Sequence, residues 1–164
     1  MGRYRPPPEP KSPLITEEGY QLLLSEEKDI WLRRRIVVQA LSEAAAEGDR
    51  SENAEYIYRK KELGQIDWRI RYLQKRLPTL KVVNEKPNDP SKIFFGAWVT
   101  LINTDDEQLN YRIVGPDEFD QKSEYISIDS PVARALLKHQ KGDEIEIKTP
   151  GGSQHFEILS VHYE

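Results

Sequence analysis

Asp49, Glu52 and Glu55 stand at steps of three in the stretch EGDRSENAEY, residues 47–56, beside Gly48 and between two long helix-forming segments. Residues three apart share one face of a helical turn, so the spacing gathers carboxylates at a bend. Hard oxygen donors of this kind suit Mg²⁺, which is commonly held by one or two carboxylates with waters and substrate phosphates completing its octahedron. Two carboxylates are too few to hold the ion alone, but they could complete a site that another macromolecule leaves half-built. The same residues also have a purely structural reading. Gly48 suits the residue that closes one helix, Asp49 suits the N-cap of the next, and Glu52 completes a capping-box-like pair. That reading leaves the further acids at Glu47 and Glu55 unexplained.

Behind the acids comes a basic run, Arg59, Lys60 and Lys61, with Arg33, Arg34 and Arg35 on the preceding segment. From Leu41 to Tyr56 there are five acidic residues and one basic, whereas from Ile57 to Lys81 there are eight basic and two acidic. A negative tip on a positive shaft could follow a nucleic-acid backbone while presenting carboxylates to a cation. Solvated helix flanks are the alternative reading of the basic run. His139, His155 and His162 show no metal-ligand spacing, Ser42, Ser51 and Ser130 lack a nucleophile-elbow context, and no glycine-rich phosphate loop is present.

The elements that must position the acids are legible from periodicity. Thr16 offers an N-cap, with Glu17 and Glu18 in the first turn. Tyr20, Leu24, Trp31, Val38, Leu41 and Ala45 then form a heptad-like stripe, with Glu27 and Arg34 at its polar positions. After the bend the stripe resumes as Tyr56, Leu63, Ile66, Ile70, Leu73 and Leu77, with Arg59 interrupting, until Pro78 ends it. Two such helices joined by a short turn run antiparallel, each arm reaching about 40–45 Å. Beyond NEKPNDPSKIFF, residues 84–95, the period changes to two. Strands are expected over 97–103, 109–115, 124–129, 143–149 and 155–163, with a short helix over SPVARALLKH that Ser130 caps and Pro131 opens.

The expected fold class is therefore α+β. A disordered Pro-rich tail spans 1–13, an antiparallel coiled-coil hairpin 14–80, a linker 81–95 and a small, mostly antiparallel sheet with one helix 96–164. Charged residues make up 32% of the 164 and hydrophobic ones 37%, which suits an elongated, well-solvated element. The net charge of -4 argues against a generic nucleic-acid binder. With no cysteine, a disulfide framework and a thiolate metal site are both excluded, which fits a reducing cytoplasm. No run approaches a membrane span, and a soluble monomer is expected.

With these features in hand, the sequence resembles the bacterial Gre transcript-cleavage factors over residues 13–163. The resemblance rests on PLITEEGYQLL, EGDRSENAEYIYRKKEL, FFGAWV, YISIDSPVARALL and IKTPGG in that order. Arg50 in GDRSEN, together with FFGAWV, makes it more similar to the GreB branch than to the GreA branch. The resemblance implies an FKBP-like C-terminal domain that docks on RNA polymerase through Asp129, Ser130 and Pro131, while the hairpin enters the secondary channel. It implies that Asp49 and Glu52 act at the polymerase active centre on backtracked RNA, sharing a Mg²⁺ that the isolated chain does not bind tightly. Arg59, Lys60 and Lys61 could hold the nascent RNA 3′ end. Such a factor has no activity of its own and stimulates that of the polymerase. Two other readings stay open: a secondary-channel regulator that inhibits without cleavage, and an FKBP-type prolyl isomerase with a coiled-coil adaptor. The latter needs an apolar, aromatic-lined pocket.

Overall fold

The structure, a computed structural model, describes residues 10–48 and 53–164. It divides into two compact units, one of them Glu18–Leu80 and the other joining the segment that ends at Glu17 to Lys81–Glu164. Each has its own core.

The helical unit consists of α1 (Glu17–Ala46, 30 residues) and α2 (Ala54–Arg76, 23 residues), followed by a single 3₁₀ turn at Leu77–Thr79. At 1.5 Å per residue the arms are about 45 and 35 Å long, so the second is shorter than the sequence suggested. The seam of α2 lies where the periodicity puts it: Ile66, Ile70, Leu73 and Leu77 are buried, and Leu63 packs beside them. In α1 the expected stripe is half right. Tyr20, Glu27, Arg34 and Leu41 are half-buried, but the other row is Leu23, Ile30, Val37 and Ala44, each one residue earlier than expected. Trp31 and Val38 are instead 43% and 39% exposed. Val37, Ile66 and Ile70 form the buried centre of the hairpin, flanked by Ile30 and Leu63.

Ion pairs lace the edges of this seam and set its antiparallel register. Arg69 meets Glu26 at 2.8 Å, Arg34 meets Asp67 at 2.7 Å, and Arg33 meets Glu62 at 3.0 Å. Partly exposed pairs of this kind each contribute about 0–1 kcal/mol; their main effect here is to exclude a slipped pairing.

The second unit is a five-stranded sheet of β3 (Trp98–Asn103), β4 (Gln108–Val114), β5 (Tyr125–Ser127), β6 (Glu144–Thr149) and β7 (Gly152–His162), in the order β5-β4-β3-β7-β6. All five expected strands form. The sheet is mostly antiparallel, as expected: β5 runs parallel to β4, and the other three pairs are antiparallel. α3 (Pro131–Leu136) packs Ala133 and Leu136 into a core with Val99, Leu101, Ile113 and Ile158.

The segments around the hairpin's ends also differ from the expected boundaries. Leu14–Thr16 is a strand, β1, paired in parallel with Lys81–Val83, β2, so residues assigned to the hairpin and to the linker form a small sheet of their own. The end of the expected tail is likewise tied down, since the Ser12 amide donates to Asp129 at 2.9 Å and the Lys81 amide donates to the Pro13 carbonyl at 2.8 Å. The first nine residues lie outside the described residues. Glu118, which is fully buried, accepts from the Thr16 amide at 2.8 Å, from the Thr16 hydroxyl and from the Gly115 amide at 3.2 Å. Leu14 passes so close that a Cβ on Gly115 would stand 2.1 Å from its carbonyl oxygen. Glycine is therefore the residue that lets β1 reach the sheet unit.

Candidate functional site

The turn of the hairpin is built by residues on either side of its acids. α1 ends at Ala46, and Gly48 adopts φ of 145°, a conformation that glycine takes at no steric cost. α2 begins at Ala54 with Asn53 as its N-cap, the Asn53 side chain accepting from the Tyr56 amide at 3.1 Å. The same side chain donates to the Ala44 carbonyl at 2.7 Å, which also accepts the Glu47 amide at 3.3 Å at the end of α1. The cap of α2 is thus Asn53, not Asp49, and the helix starts beyond Glu52. Capping, the structural reading of those two acids, falls to a residue that the spacing of acids did not single out. Asp49 and Glu52 themselves lie outside the described residues.

Behind the turn, Arg59 is already engaged. It donates to Glu55 at 2.9 Å and to Glu62 at 3.1 Å. Its hydrogen bond to Glu55 raises the guanidinium pKa above its ordinary value, partial desolvation opposes the rise, and Glu62 adds to it. Desolvation pushes Glu62 upward, yet Arg33 and then Arg59 hold its carboxyl below the usual range. Lys60 and Lys61 are exposed. Of the three basic residues expected to meet RNA, the structure leaves the two lysines on the surface and builds the arginine into the network that joins the arms.

In the sheet unit, Ser130 caps α3, accepting from the Ala133 amide at 3.2 Å, and Pro131 occupies the first turn and is exposed. Asp129 accepts the Ser12 amide. These three residues sit together at the start of α3, with two of them doing local structural work. A groove of about 590 Å³ elsewhere in this unit has Asp106, Glu144, Glu146 and Glu157 among its lining residues, and Phe156 as its one Phe, Tyr or Trp. It is not the aromatic-lined apolar pocket that the isomerase reading needs. Among the described residues no group of three His, Asp or Glu could hold a metal ion, and no helix is long and apolar enough to cross a membrane.

Residues 13–82 match the family profile described as transcription elongation factor, N-terminal, and residues 86–163 match the one described as transcription elongation factor, GreA/GreB, C-term. The chain belongs to the GreA/GreB family of transcription elongation factors. It is 54% identical to transcription elongation factor GreB of Pseudomonas aeruginosa over 164 residues, covering 99% of this chain and 98% of that one. It is 55% identical to transcription elongation factor GreB of Xanthomonas axonopodis pv. citri over 165 residues, with 99% and 98% covered. Among solved structures, it is similar to a prokaryotic transcription elongation factor GreA/GreB from Nitrosomonas europaea at 31% identity and a TM-score of 0.42, covering 57% of this chain and 79% of that one. The two GreA/GreB profiles meet between Val82 and Lys86, where β2 gives way to the run into the sheet unit.

Proposed function

We propose that this elongation factor stimulates the Mg²⁺-dependent cleavage of backtracked nascent RNA by RNA polymerase. The hairpin enters the enzyme's secondary channel and brings Asp49 and Glu52 to the active centre. The observation that carries this reading is the assignment of the α2 cap to Asn53. Asn53 caps α2, so the start of that helix does not call on Asp49 or Glu52, and the carboxylates are left to the metal-ligand role that their chemistry suits.

Mg²⁺ would supply the Lewis-acid chemistry of phosphodiester hydrolysis, activating water and stabilising the leaving oxygen. The donor set fits: carboxylate oxygens are the hard ligands this ion prefers, and polymerase and substrate oxygens would complete the shell. The chain's own residues do the rest. The paired arms, held in register by Arg69–Glu26 and Arg33–Glu62, hold the turn on a stiff support. Lys60 and Lys61 offer ammonium groups to the phosphates of the extruded 3′ end. Asp129, Ser130 and Pro131, at the start of α3, dock on the polymerase. The factor is monomeric and cytoplasmic in this account, and the catalytic centre belongs to the polymerase.

The direct test adds the protein to a stalled, backtracked elongation complex with Mg²⁺ present. Shortened RNA that regains extension supports the reading. Tight binding with RNA length unchanged would mean that the chain regulates polymerase without cleavage.

A further inference from the structure

We infer that the outward face of α2 around Trp68 and Tyr72 is a stacking platform for single-stranded RNA, distinct from the tip acids. It rests on the RNA-engaging role proposed above and adds a second subsite to it.

The geometry starts from the seam. Ile66, Ile70 and Leu73 are buried along one face of α2, so Trp68 faces away from them and is 63% exposed. The indole stands outside the buried centre of the hairpin formed by Val37, Ile66 and Ile70. It is nonetheless held in place. The rings of Trp68 and Tyr72 lie 6.1 Å apart and within 12° of parallel. The Arg69 guanidinium stands 5.3 Å from the Tyr72 centroid and is itself fixed by two 2.8 Å hydrogen bonds to Glu26. A flat ligand that stacks on the indole meets a surface already ordered, and little rotamer freedom is lost on binding.

Charge selects the ligand. A groove of about 580 Å³ beside the rings is lined by Trp68, Arg71, Tyr72, Lys75, Arg76 and Thr79, three of them cations. Asp67, the one acid between Gly64 and Thr79, is engaged by Arg34 at 2.7 Å. Cations that track a phosphate backbone beside an aromatic face that accepts any base are the two components of sequence-tolerant single-strand binding. An acidic peptide would use the cations and leave the parallel rings idle; an apolar one would do the reverse.

One turn toward the tip, Gly64 leaves the helix surface bare, since a Cβ there would meet nothing within 4 Å. Glycine weakens a helix interior relative to alanine, and no contact among the described residues requires it. An extended strand can pass close to the backbone at Gly64 on its way between Lys61 and Trp68, a distance of about 10 Å along the axis.

The test uses the full chain and a labelled single-stranded RNA of about 12 nucleotides, within the usual range of single-strand site sizes, with affinity read by fluorescence anisotropy. Trp68→Ala should weaken binding roughly 5- to 150-fold, the range expected when one base stack is removed, and Trp68→Phe should restore most of it. Helicity by circular dichroism should stay at the wild-type level in both. RNA duplex of equal length should bind more weakly and be indifferent to Trp68→Ala. Cleavage of shallow backtracks, which depends on the tip, should survive the substitution, so loss of the platform and loss of the tip are separable. A wild type that binds RNA through Trp68 but stimulates no cleavage would sink the tip reading and leave this one standing. Equal affinity of Trp68→Ala and wild type for the oligonucleotide would overturn the inference. So would equal losses on duplex and single strand, or uridine monophosphate competing as well as the oligonucleotide.

Discussion

The side-chain amide of Asn53 donates to the carbonyl of Ala44 at 2.7 Å while its oxygen accepts the Tyr56 amide at 3.1 Å, so one residue closes α1 and opens α2. Asn53→Ala removes both bonds. Loss of an N-cap costs about 0.5–2 kcal/mol, and the Ala44 carbonyl loses its side-chain partner as well. Urea unfolding of Asn53→Ala should therefore show a drop near the upper end of that range. The substitution should also lower cleavage stimulation, because the turn that carries the acids is no longer fixed at both ends. Unchanged stability would remove Asn53 from the role assigned to it.

The basic residues behind the turn should separate by function. Arg59→Glu faces Glu55 and Glu62 with a third carboxylate and should destabilise the hairpin measurably. Lys60→Glu with Lys61→Glu should leave stability within about 0.5 kcal/mol of wild type, as for most surface changes. The lysine variant should instead impair cleavage of deeply backtracked complexes, which extrude the longest RNA. For every phosphate that no longer meets an ammonium group, the salt dependence of RNA binding should flatten by about 0.7 in log–log slope. Equal cleavage of deep and shallow backtracks by this variant would make the two lysines a solvated flank.

Glu62 predicts a pH dependence. Arg33 and Arg59 hold its carboxyl below its ordinary range against the upward push of desolvation. A carboxylate whose folded value is depressed stabilises the fold above its unfolded value of about 4.3. That contribution fades as pH falls through the lower folded value. Glu62→Gln should flatten the acid limb of the hairpin's thermal stability; a limb of unchanged steepness would assign it to other carboxylates.

Docking through the start of α3 predicts another separation. Ser130→Ala removes the cap that accepts the Ala133 amide and should cost about 0.5–2 kcal/mol. Pro131→Ala touches no hydrogen bond and leaves the fold nearly unchanged, so it is the cleaner probe. Weaker polymerase binding by Pro131→Ala in a competition titration, with wild-type unfolding, is the expected result. Wild-type affinity would take this segment out of the interface.

How much of this was legible in the sequence depends on how local each feature is. The α2 seam could be read because Ile66 stands between Gln65 and Asp67 and Ile70 between Arg69 and Arg71, with no second aliphatic residue beside either. In α1 the apolar positions come as neighbours, Leu23 with Leu24, Ile30 with Trp31, Val37 with Val38 and Ala44 with Ala45. A stripe drawn through either member of each pair looks equally regular, and only the facing arm decides between them. The parallel pairing of Leu14–Thr16 with Lys81–Val83 joins short strands far apart in the chain, with no alternation to announce it. Glu118 reads as one more surface acid in PDEFD, because nothing local shows that Thr16 will bring it two donors. Asn53 is hidden for a different reason. In GDRSEN several residues are good caps, and the acids draw the cap to themselves.

Asp49→Asn with Glu52→Gln, assayed on a backtracked elongation complex at matched polymerase occupancy, tests the central claim most directly. The amides keep the size of the side chains and lose the charge that Mg²⁺ requires, while Asn53 still caps α2. The account predicts wild-type unfolding, near-normal polymerase binding and loss of stimulated cleavage. Full cleavage by the folded double variant would contradict it.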